Sequence, residues 1–177
     1  MIFLSKEKKG VLPSQYIEEL INKNFIYSNE NIEDDLIQPA SLDLRLGFKA
    51  WRVPASFLPG KEKKVEEKLK HIAMHEFNLT DGSVLECGCV YIVKLLEALN
   101  LPKNISGIAN PKSSTGRLDI FTRLIVDHTQ EFEKIPNGYK GPLYLEISPR
   151  TFSIVVRTGT RLNQLRFSLG KNNFSDT

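Results

Sequence analysis

Cysteine is nearly missing from the 177-residue chain: Cys87 and Cys89 are the only two, with a single glycine between them. A bridge across that spacing would be strained, so a disulfide framework is excluded and both thiols are expected to be reduced. Long apolar runs are missing as well. None approaches the roughly 18 residues that a membrane helix needs, and the opening MIFLSKEKKG lacks the apolar core of a signal peptide. The expectation is a cytoplasmic protein with no membrane partner. Excess charge of one sign is slight, 24 Lys and Arg against 21 Asp and Glu leaving +3. That surplus is spread along the chain, with no basic block interleaved with aromatics, so a nucleic-acid polymer is not an expected partner. A small polyanion such as a nucleotide suits a surplus of this size.

Metal-ligand spacing is missing too. A zinc deaminase needs thiolates two residues apart after its His-x-Glu, and Cys87-Gly88-Cys89 leaves only one between them. His71, His75 and His128 form no His-Glu-x-x-His. On a strand the two cysteines would share a face and pack as small residues. A Walker phosphate loop is also excluded, because counting from Gly107 puts Lys112 one position early and Pro111 where the second glycine belongs.

What is present is enough for a core. Apolar residues make up 41% of the chain, and with no repeat and no low-complexity linker, residues 1–177 read as one domain. Helical period is brief. Ile17, Leu20 and Ile21 mark one short amphipathic helix with Ser14 as its expected N-cap, and Val65, Leu69 and Ile72 form a stripe on a charged segment from Lys61 to Ile72. From about residue 40 the period is mostly two. Leu42, Leu44 and Leu46 alternate with Ser41, Asp43 and Arg45; Leu143, Leu145 and Ile147 alternate with Tyr144, Glu146 and Ser148; a third such run crosses Leu162 to Phe167. Turn chemistry stands at Asp81-Gly82, Asn137-Gly138 and Thr158-Gly159-Thr160. Many short strands with few helices predict a mainly β sandwich or distorted barrel.

Two segments carry chemistry. In Pro111-Lys112-Ser113-Ser114-Thr115-Gly116-Arg117, the proline stops a strand, and Ser113 or Ser114 suits the cap of a short helical turn whose free N–H groups attract an anion. Lys112 and Arg117 add charge on either side. A capped turn with two solvated cations explains the same residues equally well. In Gly138-Tyr139-Lys140-Gly141-Pro142-Leu143-Tyr144-Leu145-Glu146, Leu143 and Leu145 face the core and Glu146 projects from the opposite side of a rigid strand. That is how a general base is mounted, although surface strands carry such residues routinely.

Four stretches in order carry a family resemblance: Gln38 to Gly47, Pro111 to Leu118, Gly138 to Glu146, and Gly159 to Leu165. Over Val11 to Phe167 the chain resembles the deoxycytidine triphosphate deaminases, and in particular the N-terminal half of a longer bacterial type built from tandem copies. The resemblance implies the dUTPase-like β-clip fold, a homotrimer with sites between subunits, and hydrolytic deamination of dCTP to dUTP and ammonia within nucleotide metabolism. It further implies Mg²⁺ arriving with the triphosphate, and no zinc. The carboxylate matching Glu146 is the general base in that family, and the residues matching Ser113 and Arg117 hold the base and the reacting water. Lys112, Ser114, Val126, Asp127, Tyr139 and Gln164 are the further substrate-binding candidates, with backbone groups from Leu124 to Asp127 expected to read cytosine. Such a base works best with its pKa raised to roughly 6–7.

Three departures stand out. Lys112 replaces an arginine, a point charge in place of a bidentate fork. The stretch His128 to Lys134 is inserted where single-domain members form the base-binding hairpin, so the pocket there is expected to differ. Ser168 to Thr177 is expected to be too short for an arm closing over the phosphates. Two other functions compete. A dUTPase shares the fold and the ending at Gly159 to Gln164, but its water-activating aspartate falls where this chain has Pro136. A non-catalytic trimerising or nucleotide-binding half is disfavoured by Ser113, Arg117 and Glu146 occurring together.

Overall fold

A computed structural model describes residues 10–170. Residues 1–9, which the signal-peptide reading used, and residues 171–177, most of the expected short end, lie outside the described residues. The strands in chain order are β1 (Gly10–Val11), β2 (Ile26–Tyr27), β3 (Ile37–Gln38), β4 (Ser41–Val53), β5 (His75–Asn78), β6 (Ser83–Leu85), β7 (Val90–Asn100), β8 (Ile105–Pro111), β9 (Ile120–Val126), β10 (Lys134–Ile135), β11 (Lys140–Pro149), β12 (Ile154–Val156) and β13 (Arg161–Leu169). Helices are α1 (Ser14–Asn22), α2 (Val65–Ile72) and α3 (Ser113–Arg117). The fold is mainly β, as expected.

The principal sheet runs β10-β8-β13-β4-β7-β11-β9, and β4 serves both of its halves. Residues Leu42 to Arg45 pair with β13, while Lys49 to Arg52 pair with β5. The register against β7 shifts between Leu46 and Ala50. Gly47 sits in that shift because a Cβ there would lie 2.4 Å from the Lys94 carbonyl oxygen. The two ends of the sheet meet through one residue: Ala109 of β8 donates its N–H to the Glu133 carbonyl at 2.8 Å, and Glu133 donates its own to Leu124 of β9 at 2.9 Å. The sheet is thereby nearly closed into a barrel, which removes most of the free edge.

One face of the sheet encloses the main core, including Leu42, Leu44, Leu46, Leu143, Leu145, Ile147, Leu165 and Phe167. The opposite face of β4, β7, β9 and β11 is covered as well. Trp51, Ile92, Ile125 and Tyr144 pack there with Val65 and Leu69 of α2 and with Phe57 and Leu58 of the segment before it. Alternation therefore marks two different buried environments along β11: Tyr144, Glu146 and Ser148 are as inaccessible as the leucines between them.

Several local expectations are corrected. Pro13, not Ser14, is the N-cap of α1, and Ser14 is its first helical residue, with no side-chain capping bond. Helix α2 starts at Val65, four residues later than Lys61, because its entry is fixed from elsewhere: Val65 N–H donates to Asp127 Oδ1 at 2.8 Å. In α3 the N-cap is Lys112, so Ser113 and Ser114 lie within the first turn and cap nothing. Cys87 and Cys89 flank a turn at Gly88, whose φ of 77° breaks any strand there. The three expected turn glycines, Gly82, Gly138 and Gly159, do take positive φ, the conformation that favours glycine.

Candidate active site

Glu146 sits in a row across the sheet that runs Trp51, Ile92, Glu146, Arg123 on β4, β7, β11 and β9. Cross-strand neighbours on one face bring their side chains together, and here the pair is ionic. Arg123 donates to Glu146 Oε1 from Nε at 3.0 Å and from Nη2 at 2.8 Å. Ser56, from the segment that covers this face, donates its hydroxyl to Glu146 Oε2 at 2.6 Å and accepts from Arg123 Nη2. Glu146 is 1% exposed. An ionised carboxylate offers about four lone-pair directions, and these three bonds leave one open on Oε2. A base whose orientation is locked by a third group is the arrangement that general-base catalysis uses.

The stretch His128 to Lys134, expected to alter the pocket, contributes Phe132 to this cluster. The Phe132 ring stacks on the Arg123 guanidinium, 3.7 Å from its carbon to the ring centre. That cation–π contact is worth about 0.5–2 kcal/mol. Glu133 follows, and burial pushes its carboxyl up to about 7, outweighing first a hydrogen bond from the backbone at Leu124 and then the Arg123 charge. The same segment is tied to the cover: His128 N–H donates to Lys63 O at 3.1 Å, and Gly60 N–H to Thr129 O at 3.0 Å.

The remaining candidates lie in two other places. Ser113, Ser114 and Arg117 on α3 are exposed, and among the described residues their side chains make no hydrogen bond or ion pair with Glu146. Helix α3 is itself anchored, since Thr115 Oγ1 donates to Leu162 O at 2.8 Å. Lys112 pairs with the buried Asp43, and Ser41 donates to Gln164 Oε1 at 3.1 Å beside them. Asp43 Oδ1 has no partner among the described residues. Asp127 and Tyr139 do structural duty: the Tyr139 hydroxyl accepts from Asp127 N–H at 3.1 Å and donates to Pro142 O at 2.7 Å. Burial raises the pKa of Asp127, and Val126 lies inside the core. Within one chain, then, Glu146 is brought together with Arg123 and Ser56, and not with Ser113 or Arg117.

Arg123, Ser56 and Glu133 were not singled out from sequence. Arg123 becomes informative only once the register of β9 against β11 is known, and Ser56 sits in irregular chain with no period. Among the described residues no three His, Cys, Asp or Glu side chains converge as a metal-binding group.

Comparison with known proteins adds an independent line. The family model described as 2′-deoxycytidine 5′-triphosphate deaminase (DCD) N-terminal domain matches residues 8–171. The dCTP deaminase of Haemophilus ducreyi is 28% identical over 161 residues, covering 86% of this chain and 80% of that protein. A dUMP-forming dCTP deaminase from Parafrankia is 31% identical over 137 residues, 75% of this chain and 63% of that protein. The crystal structure of 2′-deoxycytidine 5′-triphosphate deaminase from Agrobacterium tumefaciens superposes with a TM-score of 0.89 at 58% identity over 92% of this chain. The chain spans about half the length of that protein, 49%. The EIAV dUTPase structure, 13% identical with a TM-score of 0.50 over 86% of this chain and 92% of its own, shares the fold.

Proposed function

The chain belongs to the deoxycytidine triphosphate deaminase family, and from that premise we propose that it hydrolyses dCTP to dUTP and ammonia with Glu146 as the general base. The observation that carries this reading is the buried carboxylate held by Arg123 on one oxygen and Ser56 on the other, with one lone pair to spare. A base held this way, in a covered part of the sheet, is positioned before substrate arrives.

Water bound at the free lone pair of Oε2 attacks C4 of cytosine. As the oxygen–carbon bond forms, Glu146 takes a proton from the water and passes it to N3. It then takes the hydroxyl proton of the tetrahedral intermediate and gives it to the exocyclic amine. The C4–N4 bond breaks, ammonia leaves, and C4 keeps its oxygen as the uracil carbonyl. One carboxylate thus serves both transfers, each typically worth about 10²–10⁴-fold in rate.

Ser113 and Arg117 orient the water and stabilise charge developing on the pyrimidine, and because they are exposed while Glu146 is buried, they act on the Glu146 of a neighbouring copy in a homotrimer. Lys112, Ser114 and Gln164 meet the rest of the nucleotide on that side, while the backbone at Val126 and Asp127, braced by Tyr139, reads the base edge. Mg²⁺ enters as part of the substrate, on the triphosphate.

The test is direct. Purified protein is incubated with dCTP and Mg²⁺, and ammonia, dUTP, dUMP and pyrophosphate are quantified. Equal amounts of ammonia and dUTP are expected. Pyrophosphate release with dUMP would move the reading toward the dUMP-forming chemistry named for the Parafrankia relative, and no ammonia from any deoxycytidine nucleotide would overturn it.

A further inference from the structure

Arg123 holds Glu146 by an ion pair that water can reach, because its own side chain is 28% exposed. Long side chains in such pairs hold one geometry only weakly. A further contact on this guanidinium comes from outside its strand. The Phe132 ring lies on it at 3.7 Å, nearer than the Phe121 ring two positions earlier on β9, which stands at 4.9 Å and also meets the Arg150 guanidinium at 5.1 Å. The backbone delivers the Phe132 ring. His128 and Glu133 take φ of +59° and +67°, left-handed values uncommon for residues with a Cβ. Glu133 is tied on both sides, to Ala109 N–H at 2.8 Å and to Leu124 O at 2.9 Å. Backbone of this kind persists where its surroundings over-determine it. The same stretch grips the segment that carries Ser56: Gly60 N–H donates to Thr129 O, His128 N–H donates to Lys63 O, and His128 Nδ1 stands 3.2 Å from Lys61 O. Both groups that hold the Glu146 carboxylate are therefore steadied by one stretch of chain.

We propose that Phe132 is a positioning residue of this site, its ring pinning Arg123 in the orientation that aligns Glu146, with residues 128–134 as the brace that carries the ring. The inference rests on the deaminase reading only for its effect on rate; the bracing belongs to the folded chain. A guanidinium is attracted to the face of an aromatic ring, and the stacked face is closed to water. Its edge stays free to donate. Nε and Nη2 accordingly reach Glu146 Oε1 while the ring covers the guanidinium plane. Without the ring, Arg123 gains orientations in which it donates to water, and Oε1 of Glu146 loses its fixed partner. Phe132 acts through Arg123, so its loss lowers turnover and leaves substrate affinity nearly unchanged.

The Arg123 Nε–H, bonded to Glu146, reports this orientation through its exchange with water. That exchange is measured by NMR at one fixed pH in ¹⁵N-labelled full-length protein, for the wild type, Phe132→Leu and Phe132→Tyr. Leucine keeps apolar bulk without the π face, and tyrosine keeps the face. Thermal melts and kcat and KM for dCTP accompany each. Phe132→Leu is expected to speed the exchange and lower kcat, each several-fold and by no more than about 30-fold, the upper end for a cation–π contact, with KM little changed. Phe132→Tyr should retain both the protection and the turnover. A ring that merely fills space would lower the melting temperature and leave exchange and kcat of the folded protein unmoved, which overturns the proposal. Lost turnover with unchanged exchange overturns it too, and so does tyrosine behaving like leucine. If Phe132→Leu fails to fold, the other two proteins decide: protection in both supports the brace, and wild-type exchange as fast as that of the exposed Arg117 overturns it. If exchange behaves as expected and no ammonia is released, the functional reading fails and the brace stands.

Discussion

Glu133 gives up solvent without gaining a partner for Oε2, and the cost falls on its charged form. With its folded-state pKa near 7 against an ordinary 4.5, the folded chain holds a proton between those values that the unfolded chain has released. Stability therefore falls as pH rises through that window. Glutamine removes the titration, so the melting temperature of Glu133→Gln should gain on the wild type between pH 5 and pH 8. Thermal melts at the two pH values check this, and a difference that is the same at both contradicts it. Glu146 itself was legible in the sequence, because alternation with Leu143 and Leu145 assigns it a face. What that face meets was not legible: Ser56 lies ninety positions away along the chain, and no local pattern records a contact made only when a loop folds over a sheet.

The element that closes this face is α2 with the loop before it. Its apolar stripe was readable, and Val65 and Leu69 are indeed buried against Trp51, Ile92, Ile125 and Tyr144. Its start was not readable, because the carboxylate that receives its first N–H belongs to Asp127, far off in sequence. Around it runs a polar margin in which Glu66 accepts from Lys94 at 2.8 Å and from Tyr144 at 3.2 Å. The Lys94 charge and bond lower the Glu66 pKa. These half-exposed pairs contribute little, so the buried stripe holds the helix. Leu69→Ala should cost about 2–5 kcal/mol and speed amide exchange across 56–72 more than across β11. Denaturant melts and hydrogen exchange measure both effects. Equal acceleration in the two segments would show that the cover and the sheet open as one unit, against this account.

Across the whole molecule, the groups assigned to one reaction lie apart. Arg117 is exposed on α3, Glu146 is buried under the cover, and a homotrimer would join the α3 of one copy to the Glu146 of the next. Mixing Arg117→Ala with Glu146→Gln, each inactive alone, should then restore about a quarter of wild-type activity, since random assembly pairs an intact α3 with an intact Glu146 at about one site in four. No recovery after unfolding and joint refolding would place both groups in a site within a single copy. The overall architecture was readable from the period-two runs and the turn glycines, whereas sheet closure through Glu133 was hidden in an irregular stretch. The central claim is the role of Glu146, and steady-state kinetics of Glu146→Gln with dCTP, beside its thermal melt, test it most directly. The account predicts a folded protein with KM little changed and kcat lowered by about 10² or more; near-normal turnover by a folded Glu146→Gln would contradict it.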